Sequence, residues 1–124
     1  MSIVKNNKDK AQNPAAKPDD SREPSSTNQS ASGNKRLHVF FVGTVQGVGF
    51  RYTALNISRN FKMSGWVRNR SDGRVELVAE GEAEELENFL RAIGDEMSGY
   101  VDRVERTWEN ASGEFGNFEI RPTE

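Results

Sequence analysis

Large apolar side chains are almost absent from the first 34 residues and then recur in short runs of two different periods. Residues 37–42, Leu-His-Val-Phe-Phe-Val, form a β-prone apolar run and predict a first strand. Over 51–62 the spacing lengthens. Ala54, Ile57 and Phe61 fall at i, i+3 and i+7, with Phe50 one turn earlier, which predicts one face of an amphipathic helix. Trp66, Val67, Val75, Leu77 and Val78 make 64–70 and 74–81 β-prone, and Ser71-Asp72-Gly73 between them is a strong turn signal. A β-hairpin with its tip at 71–73 is expected. A second helix is expected from about 82 to 93, carrying the stripe Leu86, Phe89, Leu90 and Ile93, with Gly94 as its stop. Glu82, Glu84 and Glu85 crowd its first turn, where the helix dipole favours negative charge. Strands over 101–109 and 115–121 complete the pattern.

The order β-α-β-β-α-β with one extra terminal strand is that of an α+β, ferredoxin-like fold, with two helices on one face of a mainly antiparallel sheet. Right-handed crossovers place the first and third strands side by side in the centre, so the hairpin returns next to the first strand.

Composition divides the chain. Residues 1–34 hold three of the four prolines and many Ser, Asn and Asp residues. Such a segment cannot bury enough surface to offset its ordering entropy, so a disordered tail over 1–34 and one domain over 35–124 are expected. The tail carries five basic and four acidic residues, the domain twelve and fifteen. Neither balance suits a nucleic-acid binder. No cysteine is present, which excludes a disulfide framework, a thiol nucleophile or a thiolate metal site. No apolar run is long enough to span a membrane and the N-terminus lacks an apolar signal core, so a cytoplasmic protein without membrane contact is expected. His38, the one histidine, has no acidic neighbour in sequence and is expected to be a partly exposed strand residue.

The chemistry concentrates in Gly43-Thr44-Val45-Gln46-Gly47-Val48-Gly49-Phe50-Arg51, where a strand hands over to a helix. Glycines permit positive φ and close approach of a ligand to the main chain. Successive amides in such a turn, backed by the positive end of a helix dipole, can form an anion cradle over Gln46, Gly47, Val48, Gly49, Phe50 and Arg51. Arg51 adds a forked guanidinium at its mouth, and a small phosphoryl dianion fits the arrangement. The spacing matches neither a P-loop nor a dinucleotide fingerprint. The predicted layout can bring Asn69, at the end of the strand before the hairpin turn, close to this loop. Its uncharged amide could hold a water in line with phosphorus. Arg68 and Arg70 are expected to be surface strand residues rather than ligands.

These residues resemble the acylphosphatase family. The run 43–51 is similar to that family's phosphate loop with its binding arginine, and Gly65-Trp66-Val67-Arg68-Asn69, with Gly73-Arg74-Val75 and Gly81, to its second motif with a water-orienting asparagine. Gly116-Asn117-Phe118-Glu119-Ile120-Arg121 is similar to its last strand. The likeness covers about residues 35–122. It departs at 94–100, Gly-Asp-Glu-Met-Ser-Gly-Tyr, where the family often has a proline and small residues, a difference that bears on loop shape and on preference for the acyl part.

The resemblance implies a hydrolase that splits the carboxyl-phosphate anhydride of small acyl phosphates, with Arg51 and Asn69 catalytic, no metal and no cofactor, acting as a monomer on a small molecule. Two other readings compete. A non-catalytic anion-binding module would keep the cradle without a water-orienting residue. An RNA-binding sheet would share the element order, but the stretch 74–80 has no aromatic residue and two acidic ones.

Overall fold

The computed structural model describes residues 33–124, and the expectation of a disordered tail falls outside them. The described unit contains β1 (Asn34–Gly43), α1 (Phe50–Ser58), β2 (Met63–Asn69), β3 (Val75–Glu82), α2 (Ala83–Glu96), β4 (Val101–Asn110) and β5 (Phe118–Ile120). The strands form one sheet in the order β4-β1-β3-β2-β5. Every neighbouring pair is antiparallel except β2 with β5. The ferredoxin-like α+β fold with a mainly antiparallel sheet is therefore present, and β3 pairs with β1 in the centre as the crossover rule requires.

Alternation on β1 builds the core. Leu37, Val39 and Phe41 are buried, while Arg36, His38 and Phe40 stand on the other face. The buried row meets Val67 of β2, Val75, Leu77 and Ala79 of β3, Phe50 and Ala54 of α1, and Leu86, Phe89, Leu90 and Ile93 of α2. Phe41 and Phe50 touch with ring centroids 4.7 Å apart. That contact locks the start of α1 against the end of β1. Each such ring contributes about 1.5–3 kcal/mol by burial.

Four boundaries move by three residues or more; β1 begins at Asn34 instead of 37, and the other three follow. α1 stops at Ser58, because the amides of Arg59, Asn60 and Phe61 turn back to carbonyls three residues earlier. Phe61 still packs on the core, against Phe89 at 5.9 Å. α2 runs through Gly94 to Glu96, since buried Met97 rewards another turn and Gly94 does not take the left-handed conformation that would end the helix. The last strand is only Phe118–Ile120; in the loop before it, the Glu80 carboxylate accepts the Ser112 and Gly113 amides at 2.8 and 2.9 Å.

Candidate active site

β1 ends at Gly43 and the chain crosses to α1 through a loop pinned by Val45, which is buried in the core. Gly47 and Gly49 take φ of 77° and 79°. No atom lies within 4 Å of where a Cβ would sit on either, so conformation and not space demands glycine there. An L side chain in that region costs about 1–2 kcal/mol. Gly49 is the N-cap of α1 and supplies no side-chain cap bond, and the first turn of α1 holds no acidic residue. The first amides of a helix lack intrahelical acceptors, so this end of α1 keeps its positive character for something else to satisfy.

Asn69 is the last residue of β2, paired with Val75. The turn after it is closed by the Arg70 amide donating to the Arg74 carbonyl at 2.8 Å and the Gly73 amide to the Arg70 carbonyl at 3.1 Å, with Gly73 at φ 97°. Glu124 runs alongside: its amide donates to the Asn69 carbonyl, and the Ser71 amide donates to the Glu124 carbonyl, each at 3.0 Å. The Asn69 backbone is thus held from both sides. Its side chain is not. Asn69 Oδ1 is buried and has no hydrogen-bond partner within the protein. A buried acceptor left without a partner costs about 1–3 kcal/mol, so its persistence needs an explanation.

These parts meet in a pocket of about 210 Å³ lined by Val45, Gly47, Gly49, Phe50, Arg51, Tyr52 and Asn69. The structure brings together five of the residues singled out from sequence: Gly47, Gly49, Phe50, Arg51 and Asn69. Gln46 and Val48 do not line it. The Gln46 amide nitrogen instead donates to the carbonyls of Arg70 (2.7 Å) and Arg74 (2.9 Å), and Val48 packs on the core. Val45 and Tyr52 line the pocket without having been singled out. Tyr52 is two-thirds exposed at its rim.

A larger depression of about 790 Å³ lies elsewhere, bordered by Lys62 and by Glu80, Glu82 and Glu85. Its carboxylates would repel a phosphoryl group, so size does not identify the site.

His38 differs from expectation in having acidic partners after all. Its Nε2 lies 2.6 Å from Glu76 Oε2 and its Nδ1 3.5 Å from Glu109 Oε2, across β3 and β4. Arg68 and Arg70 do not line the pocket. Both donate to Glu76 Oε1, at 2.9 and 3.1 Å. Burial would push the Glu76 carboxyl up, but His38 and Arg68 outweigh it and hold it below the ordinary carboxylate range. Sequence reasoning missed Glu76. Its only local signal is an acidic residue inside a β-prone run. Among the described residues, no group of three or more His, Asp or Glu side chains could hold a metal ion.

Fold and site together define a small α+β domain with a pocket at a glycine-rich strand-to-helix junction. A family model described as acylphosphatase matches residues 37–120. The chain is 43% identical over 86 residues to an acylphosphatase of Roseiflexus sp. (strain RS-1), covering 68% of this chain and 92% of that one. It is 42% identical over 92 residues to an acylphosphatase of Pyrobaculum islandicum, covering 73% and 97%. The crystal structure of acylphosphatase from Bacillus subtilis superposes with a TM-score of 0.64 at 33% identity, covering 70% of this chain and 98% of that one. The chain belongs to the acylphosphatase family.

Proposed function

We propose that this protein hydrolyses the carboxyl-phosphate anhydride of small acyl phosphates, releasing a carboxylate and inorganic phosphate. The observation that carries the reading is the meeting of Arg51, the glycine-rich start of α1 and Asn69, whose Oδ1 is buried without a partner, in one small pocket. Its volume suits a phosphoryl group better than a drug-sized ligand, which needs about 300–1,000 Å³.

The chemistry is positioning plus electrostatics. In phosphoryl transfer, charge spreads over the equatorial oxygens of a loose transition state. The loop amides at the start of α1 and the Arg51 guanidinium bind those oxygens. Asn69 orients a water in line with the scissile P–O bond. As that bond breaks, its electrons leave on the carboxylate, and the water's proton passes to the phosphoryl oxygens. A carboxylate leaves readily, so the site needs no acid to protonate it; a phosphate monoester would demand one. The unpartnered Asn69 also favours this reading over a non-catalytic anion-binding module. The near balance of charges in the domain supports a small-molecule substrate over nucleic acid. We further propose a cytoplasmic monomer. Among the described residues, no helix is long and apolar enough to cross a membrane.

The test is turnover on a panel of acyl phosphates beside a phosphate monoester. Rapid release of phosphate from the former and none from the latter is expected. Absence of turnover on every acyl phosphate, with inorganic phosphate still binding, would favour the non-catalytic module.

A further inference from the structure

Resting on that reading of the site, we propose that the Gln46 side chain is a positioning residue: it fixes the distance between the phosphate cradle and Asn69. Its amide nitrogen spends both N–H groups on the hairpin turn, donating to the Arg70 carbonyl at 2.7 Å and the Arg74 carbonyl at 2.9 Å. Both acceptors lie far along the chain, 24 and 28 residues away. Each already takes a bond inside the turn, from the Gly73 and Arg70 amides respectively. The Gln46 amide therefore does not build the turn. It ties a turn that is already closed to a loop carrying two left-handed glycines.

The consequence follows from connectivity. Arg70 is the residue after Asn69, and Gln46 is the residue before Gly47, so one side chain joins the two halves of the pocket within one residue of each. Val45 faces the core and Gln46 faces the hairpin, which gives the loop one anchor toward each. Glutamine suits the task because one uncharged nitrogen offers two donors at the end of a three-carbon reach. Glutamate would set an acceptor against two carbonyls, and asparagine is one carbon shorter. A misplacement of about 1 Å in a catalytic group can cost on the order of 100-fold in rate, whereas a bound phosphate needs only the cradle.

The experiment is a double-mutant cycle in the full chain between Gln46→Met and Asn69→Ala, read as kcat on an acyl phosphate and as inhibition by inorganic phosphate. Methionine keeps the length of the side chain and removes both donors. Gln46→Met is expected to lower kcat by about 10- to 100-fold, to leave phosphate inhibition within about twofold, and to cost less than about twofold when Asn69 is already alanine. Unchanged kcat in the folded variant would overturn the proposal. So would an equal loss in the Asn69→Ala background, or a parallel loss of phosphate inhibition, since Gln46 would then act on something other than Asn69. Should the variant fail to fold, through-hydrogen-bond NMR couplings in the wild-type chain decide. Couplings from the Gln46 side-chain nitrogen to the carbonyl carbons of Arg70 and Arg74 are expected, and their absence rejects the tie. A wild-type chain without acyl phosphate turnover would instead sink the function proposed above, so the two failures are distinguishable.

Discussion

The two helices of this domain begin in opposite electrostatic settings. α1 follows a left-handed glycine, has no side-chain cap bond and no acidic residue in its first turn, and carries Arg51 there, lining the pocket. α2 follows Glu82 and carries Glu84 and Glu85 in its first turn, so its own carboxylates offset its dipole. Glu85 also accepts the Lys62 amide at 2.7 Å. Each start borders a depression, and the larger one belongs to α2. Sign and satisfaction of charge, rather than volume, separate a site from a surface hollow. The same contrast holds for buried polar groups. Glu80 is buried and fully engaged by Arg36 and the Ser112 and Gly113 amides, while Asn69 Oδ1 is buried with nothing in the protein to bond.

The sharpest way to break this comparison is to remove the two groups proposed to act at the α1 end. Arg51→Lys keeps the charge but loses the planar fork. It should weaken phosphate inhibition and lower kcat/KM by on the order of 100-fold or more. Asn69→Ala should lower kcat by on the order of 100-fold while phosphate inhibition stays nearly intact. Steady-state kinetics with phosphate as inhibitor checks both. Equal behaviour of the two variants would merge roles that the account keeps separate.

Next in size is the turn that carries Asn69. Gly73 sits at φ 97°, so Gly73→Val should cost roughly 1 kcal/mol or more in stability, measured by denaturant unfolding. Activity should fall further than that loss explains. Normal kinetics in a folded Gly73→Val chain would detach the turn from the site.

A gentler probe acts on the satisfied carboxylates. Burial would raise the Glu80 carboxyl, but the Ser112 and Gly113 amides and Arg36 hold it below the ordinary range, as His38 and Arg68 do for Glu76. Groups with lowered folded-state pKa contribute stability above the unfolded carboxyl value and lose it as pH falls through the folded value. The melting temperature should therefore be flat near neutral pH and drop below about pH 4. Glu80→Gln should shrink that drop, lower the melting temperature at pH 7, and leave phosphate inhibition unchanged. Altered inhibition would link the two regions.

The smallest effect is expected from removing residues 1–33. A chain starting at Asn34 should keep its melting temperature and turnover. A large loss of either would give the segment a part in the domain.

Much of the fold was legible because its signals are local. The i, i+3, i+4 stripe of Leu86, Phe89, Leu90 and Ile93 and the Asp72-Gly73 turn need no tertiary information. The glycine-rich loop before Arg51 was legible for the same reason, since its spacing is a run of neighbours. Gly94 misled because a glycine ends a helix only when its left-handed conformation is used, and Met97 beyond it made continuation favourable. The Glu76 network and the Gln46 bonds were not legible. They join residues 6 to 38 positions apart, and only the tertiary arrangement of strands and loops decides which of these groups meet.

The central claim is that an anion settles at the start of α1 and not at the start of α2. Titrating inorganic phosphate into the isotopically labelled chain and following its backbone amides tests that directly. The account predicts saturable shifts at the amides of residues 47–51 and at the Asn69 side chain, with residues 82–86 and Lys62 undisturbed. Shifts centred on residues 82–86, or no saturable shift at 47–51, would contradict it.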